Sequence, residues 1–306
     1  MAAPSFDEPR PVIAVSACLL GAPVRFDGGH RHSAWIARDL ARFADLVPIC
    51  PEFAAGFGSP REPLRLVVRA GGVRVVMIRT ASDLTERLAE SARAIMTSLP
   101  ALDGAILQKG SPSCGPERVR VYRDNGKPAF SHTGTFAQAL RQAHPKLPVA
   151  DDGRLCDPGQ RANFLTRIYA RARWRTRSES PAAFHARHKF LLYAQSPLHY
   201  RLAGRAAAEG RDDYAAALWD GLAVEPTPGK RVNVFQHLLG FFRGRIPKEE
   251  THMLATAVEE YRSGWLPFAA PLSLFEYVVA RLQIDYLREQ YLFRPYPREL
   301  APGGYA

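Results

Sequence analysis

Residues 11–21 read PVIAVSACLLG, a β-branched apolar run that breaks off at Cys18 and Gly21. The pattern returns twice, as LVPICPE at 46–52 and GAILQKGSPSCG at 104–115. Short apolar runs separated by helix-period stretches predict buried strands of an α/β domain with a mostly parallel, Rossmann-like sheet. Ligands of such sheets gather beyond the carboxyl ends of the strands, where the strand order reverses. Cys18, Cys50 and Cys114 all fall at strand ends, so they are expected to meet there.

Outward from these runs, LRLVVRAGGVRVVMIR at 64–79 alternates around Gly71-Gly72 and predicts a hairpin. Helical spacing follows at 83–99, with Thr80 and Ser82 as caps and Pro100 as the stop, and again at 135–144 before Pro145. LPVAD at 147–151 predicts the last strand, and 160–177 one long basic helix. Beyond Pro181 every periodic segment is helical, broken at Ser196-Pro197, Pro226-Thr227-Pro228, Ile246-Pro247, Pro267 and Pro271. The expected organisation is an α/β domain at 1–175, a linker at 176–183 and an all-helical domain at 184–306.

Three separated thiols with no close pair suit a metal centre with one open position better than a closed structural zinc. An iron–sulfur cluster normally takes four cysteines, so three leave an iron for substrate. The plain alternative is three inert buried thiols. Cys156, in DDGRLCDP, is a weaker candidate for a fourth ligand. Glu52, two residues after Cys50, is the candidate general base, or else a partner of Arg61. Ser111, held by Pro112, is a candidate proton donor, or simple turn chemistry. Arg25, His30 and Lys109 are expected near the same mouth as substrate contacts. No Walker sequence and no complete dinucleotide fingerprint occurs.

Charge points to a second theme. The chain carries 41 Lys+Arg against 30 Asp+Glu, a formal net of +11. Residues 161–189 concentrate that excess, with Glu179 as their one acid. Arg167, Arg171 and Arg175 recur every four residues and share a helix face, a row suited to successive phosphates. Ion pairing at a domain boundary is the competing explanation. No apolar run approaches the ~20 residues needed to span a bilayer, and the segment before Cys18 lacks a basic start and a long apolar stretch. A cytoplasmic chain is expected.

The motifs SACLLG with VRFDGGH, then CPE, then KGSPSCG, resemble the TudS-type thiouracil desulfidases over roughly residues 11–172. FHARHKF, VNVFQHLLGFF, YRSG and EQYLFRPYPREL resemble the YbgA-like helical domain over about 182–300. The fusion is similar to RudS-type tRNA 4-thiouridine desulfidases. That resemblance implies a [4Fe-4S] cluster on Cys18, Cys50 and Cys114 with one open iron, Glu52 and Ser111 as catalytic residues, and non-redox desulfuration. It also implies tRNA as partner, gripped by the helical domain and the arginine helix. Small thiolated pyrimidines, with the helical domain used for oligomerisation, are the alternative substrate. A non-catalytic metal- or nucleic-acid-binding protein is the alternative class.

Overall fold

A computed structural model describes residues 8–301. They form two compact units, one running through Arg173 and taking in residues 299–301, the other Trp174–Arg298. In the first unit the strands are β1 (Val12–Ser16), β2 (Asp45–Ile49), β3 (Leu64–Arg69), β4 (Gly72–Met77), β5 (Gly104–Leu107), β6 (Val119–Tyr122), β7 (Pro128–His132) and β8 (Val149–Asp151). Its helices are α1 (Pro51–Ala54), α2 (Thr85–Ser98), α3 (Thr135–Ala143) and α4 (Pro158–Thr176), whose end passes into the second unit.

The strands divide between two sheets. One has the order β2-β1-β5-β8 and is parallel throughout. Its central strands are buried on both faces, which explains their unbroken apolar runs. Ala14, Ala105 and Leu107 pack with Ala92 of α2 and with Phe136 and Leu140 of α3. On the other face, Gly104 lies under Ile168 and Phe164 of α4; a Cβ there would stand 2.6 Å from Ile168. The Tyr169 hydroxyl anchors α4 by donating to the Phe43 carbonyl at 3.0 Å.

The second sheet, ordered β4-β3-β6-β7, is mixed. The expected hairpin at 64–79 is present, and Gly71 and Gly72 take φ of 92° and 121° at its turn, a backbone that favours glycine. Strands β6 and β7 were not anticipated. They form an antiparallel pair around Asn125-Gly126, a dipeptide that signals a tight turn. Helix α2 begins at Thr85 rather than at a Thr80 or Ser82 cap; Asp83 accepts the Thr85 N–H at 2.9 Å.

The second unit is helical: α5 (Pro181–Gln195), α6 (Pro197–Ala208), α7 (Tyr214–Ala223), α8 (Pro228–Phe242), α9 (Lys248–Arg262), α10 (Ala269–Arg281) and α11 (Asp285–Arg288). Three helices start with a hydroxyl cap followed by proline. Ser180, Ser196 and Thr227 accept the N–H of Ala183, His199 and Lys230, and Pro181, Pro197 and Pro228 follow them. Proline loses nothing at that position, because its missing N–H would have had no helical partner. Phe190, Phe235, Leu238, Phe242, Leu254 and Phe275 build the core. The C-terminal motif is tied to α5 by bonds from Tyr291 N–H to the Arg187 carbonyl and from Gln290 to the Ala186 carbonyl. Among the described residues no helix is long and apolar enough to cross a membrane.

Candidate functional site

Strand order sets the position of the site. The chain leaves β1 for β2 on one side and returns as β5 on the other, so the order reverses at β1 and opens a crevice past the strand ends. Cys18 lies in the turn after β1, Cys50 caps α1 after β2, and Cys114 lies in the loop after β5. All three line one cavity of about 300 Å³ with Glu52, Ser111, Arg25 and Lys109. The convergence expected from the spacing is therefore present.

Cys18 and Cys114 are buried and Cys50 is partly buried. Burial pushes Cys18 up to about 11, and nearby Cys50 adds to the shift. Burial also raises Cys50, and Cys114 well above the ordinary thiol range. Ser16, buried at the end of β1, accepts the Gln108 N–H at 3.0 Å and hydrogen-bonds Cys114. Among the described residues no group of three or more His, Cys, Asp or Glu side chains forms a ligand set for a metal ion. The thiols instead stand around a cavity wall, and three soft sulfur donors there fit an iron–sulfur group rather than a single hard cation.

Glu52 sits on α1, buried, with both carboxylate oxygens engaged. Oε2 accepts from Arg61 Nε at 2.9 Å and from Arg61 Nη2; Oε1 accepts the Ser113 hydroxyl at 2.6 Å. The Arg61 pair, the alternative to the general-base reading, thus exists, and it is buried. Arg61 also donates to the carbonyls of Val24 and Gly58, each at 2.8 Å, joining the carboxylate to both neighbouring loops. Ser113 was missed by the sequence reading.

Ser111 acts within its own loop. Its oxygen accepts the N–H of Ser113 at 3.2 Å and of Cys114 at 3.0 Å. With the oxygen so occupied, the hydroxyl proton is the part left to donate, and Ser111 lines the cavity. The start of α3 clasps this loop: Phe136 N–H reaches the Ser113 carbonyl at 2.9 Å and Gly134 N–H the Gly115 carbonyl at 2.8 Å. Gly134 permits that approach, since a Cβ would lie 2.6 Å from the Ser113 oxygen.

Other expected contacts separate. Arg25 lines the cavity and pairs with Asp27 at 3.2 Å. Lys109 lines it too, its N–H held by Asp152 at 2.8 Å. His30 is not among the lining residues; its Nδ1 accepts the His32 N–H at 3.3 Å, while Arg31 does reach the wall. Cys156 is exposed and absent from the lining, with its thiol near the Asp152 carbonyl at 3.5 Å. Of the arginine row, Arg175 is exposed, whereas Arg167 and Arg171 are half-buried. Burial lowers Arg167 to about 10 and lowers Arg171 as well, and Arg171 donates to the Lys146 carbonyl at 3.4 Å.

Comparison with known proteins gives this region a family. The family model for 2-thiouracil desulfurase matches residues 13–152. A stretch of 139 residues is 32% identical to the uncharacterized protein YbbK of Bacillus subtilis (strain 168), covering 43% of this chain and 91% of that protein. The chain belongs to the 2-thiouracil desulfurase family. The family's region contains all three cavity cysteines together with Glu52 and Ser111. Residues 189–297 match a second model, a protein of unknown function (DUF1722). Over 124 residues the chain is 30% identical to the uncharacterized protein YbgA of Escherichia coli (strain K12), covering 38% of this chain and 73% of that one. The solved structure of the [4Fe-4S]-dependent thiouracil desulfidase TudS is 32% identical, covers 48% of this chain and 93% of its own, and has a TM-score of 0.40.

Proposed function

We propose that this chain is an iron–sulfur-dependent desulfidase that converts 4-thiouridine in tRNA to uridine. Water replaces sulfur at C4 without any change of oxidation state: a thiocarbonyl and water become a carbonyl and hydrogen sulfide. One observation carries the reading, namely that three thiols, Glu52 and Ser111 line a single cavity at the switch point of a family-matched sheet.

A cluster held by Cys18, Cys50 and Cys114 would supply a Lewis-acidic iron suited to a soft thiocarbonyl sulfur. Glu52, oriented by Arg61 and Ser113, receives a proton from the attacking water. Ser111, its oxygen fixed by two backbone N–H groups, gives a proton towards the departing sulfur. Arg25 and Lys109 put positive charge at the wall where a polarised pyrimidine enters. Reaching C4 in a folded tRNA requires the base to leave its stack. The formal charge of +11 and the exposed Arg175 support a polyanionic substrate.

The test is nucleoside analysis of bulk tRNA after incubation with anaerobically reconstituted protein. Loss of 4-thiouridine matched by uridine and sulfide is expected. Intact tRNA alongside turnover of free 4-thiouracil would confine the activity to small bases, and turnover of neither contradicts the assignment.

A further inference from the structure

A second cavity, of about 520 Å³, adjoins the first and shares Leu64, Gly110 and Pro112 with it. It lies on the mixed sheet, and its charged lining is Arg65, Arg118 and Arg120, with no acid among the lining residues. Register explains the grouping. Leu66 pairs with Val121 and packs into the sheet's apolar core. Strand alternation therefore puts Arg65, Arg120 and Tyr122 on the opposite face. The Arg65 guanidinium lies 5.8 Å from the Tyr122 ring, and its buried Nε has no hydrogen-bond partner among the described residues. Arg118 is exposed and held at φ 56°, a left-handed backbone that a non-glycine residue seldom adopts.

Nearby acids are committed elsewhere. Asp124 pairs with Arg69, Glu117 with Arg154, and Glu62 accepts the Thr80 N–H at 2.8 Å. Arg65, Arg118 and Arg120 take part in no ion pair among the described residues. Three such guanidiniums in one groove beside the reaction cavity form a strongly positive track.

We propose that this groove holds the phosphodiester backbone of a single-stranded RNA segment flanking the base in the reaction cavity. The inference deepens the tRNA reading by placing part of the RNA contact in the α/β unit. Guanidiniums match phosphate oxygens in charge and planar geometry, and an aromatic ring such as Tyr122 suits a neighbouring base or ribose. The occupant is a strand rather than one phosphate, because three guanidiniums along a groove of about 520 Å³ offer more donors than the oxygens of a single phosphodiester can accept.

The test is fluorescence anisotropy of the full chain with a labelled, uridine-rich, single-stranded RNA across a salt series. This needs no turnover, so it is judged apart from the desulfidase assignment. Single strands lose about 0.7 of log–log slope per phosphate contact. The triple variant Arg65→Gln/Arg118→Gln/Arg120→Gln is therefore expected to show a slope shallower by about 2 and an affinity lower by about tenfold at low salt. The charge-keeping pair Arg118→Lys/Arg120→Lys is expected to retain the parent slope, which separates lost charge from lost folding. In the active holoenzyme, the glutamine triple should lose kcat/KM on thiolated RNA about tenfold and keep it on free 4-thiouracil. A triple variant with parent affinity and slope, a parent chain that binds no RNA, a lysine pair as weak as the triple, or equal losses on both substrates overturns the proposal.

Discussion

The polar groups around the reaction cavity and those in the aromatic core of the second unit are treated in different ways. Around the reaction cavity they are tied into one network: Glu52 takes Arg61 and Ser113, Ser111 takes two backbone N–H groups, and Ser16 joins Gln108 to Cys114. In Trp174–Arg298, His185 Nδ1, Gln195 Oε1 and the Tyr214 hydroxyl are buried with no hydrogen-bond partner among the described residues. His185 and Tyr214 lie in an aromatic cluster, their ring centroids 5.7 Å apart and Trp174 5.1 Å from Tyr214. A network fixed before the reaction is what charge development requires. Unmatched polar atoms in an aromatic core act instead on stability. On the reading proposed above, chemistry falls to the first unit, while the unmatched polar atoms of the second bear on its stability.

The sharpest way to break this contrast is Glu52→Gln, which keeps the shape of the side chain and removes its charge. Turnover should fall by about 10²–10⁴ while the iron content stays near the parent's. Unfolding should also come earlier, since the buried Arg61 loses its counter-charge. A fully active variant would remove Glu52 from the reaction.

A change of the same size in the other unit should read out differently. Phe275→Ala removes a fully buried ring from the helical core and should cost about 3–5 kcal/mol, measured by urea unfolding. Iron content and turnover of free 4-thiouracil should survive wherever the chain stays folded. If they fall in step with the helical unit, the division of labour is wrong.

The smallest effect concerns His185. Burial, aided by Lys189, lowers it from 6.5 to about 4. The unfolded chain therefore binds this proton first, so stability is full above about 6.5, falls with pH through the window and levels off below about 4. At about 1.36 kcal/mol per unit, the loss is about 2 kcal/mol at pH 5 relative to pH 8. Urea unfolding at the two pH values, in the parent and in His185→Phe, checks it. Equal pH sensitivity in both would reject the assignment.

Much of this was legible in the sequence where the signal was local. The three cysteine loops announced themselves through strand-like runs ended by Gly or Pro, and the helical unit through Ser-Pro and Thr-Pro starts. The β6–β7 pair escaped because most of β7 is exposed and PAFSH lacks a clear apolar face, although Asn125-Gly126 marked the turn. Ser113 escaped for a different reason: its bond to Glu52 spans 61 residues, which no local pattern encodes. Period four placed Arg167 and Arg171 on one face but could not say that the face is half covered. His30 stood close to Arg25 in sequence, yet its loop leads it away from the cavity wall.

The central claim is that Cys18, Cys50 and Cys114 act together as a cluster site. Iron and acid-labile sulfide should be counted after anaerobic reconstitution of the parent and of Cys18→Ser, Cys50→Ser, Cys114→Ser and Cys156→Ser. The account predicts about four irons per chain in the parent and in Cys156→Ser, with loss in each of the other three. Full iron in any of those three, or a colourless parent holding tight zinc, would contradict it.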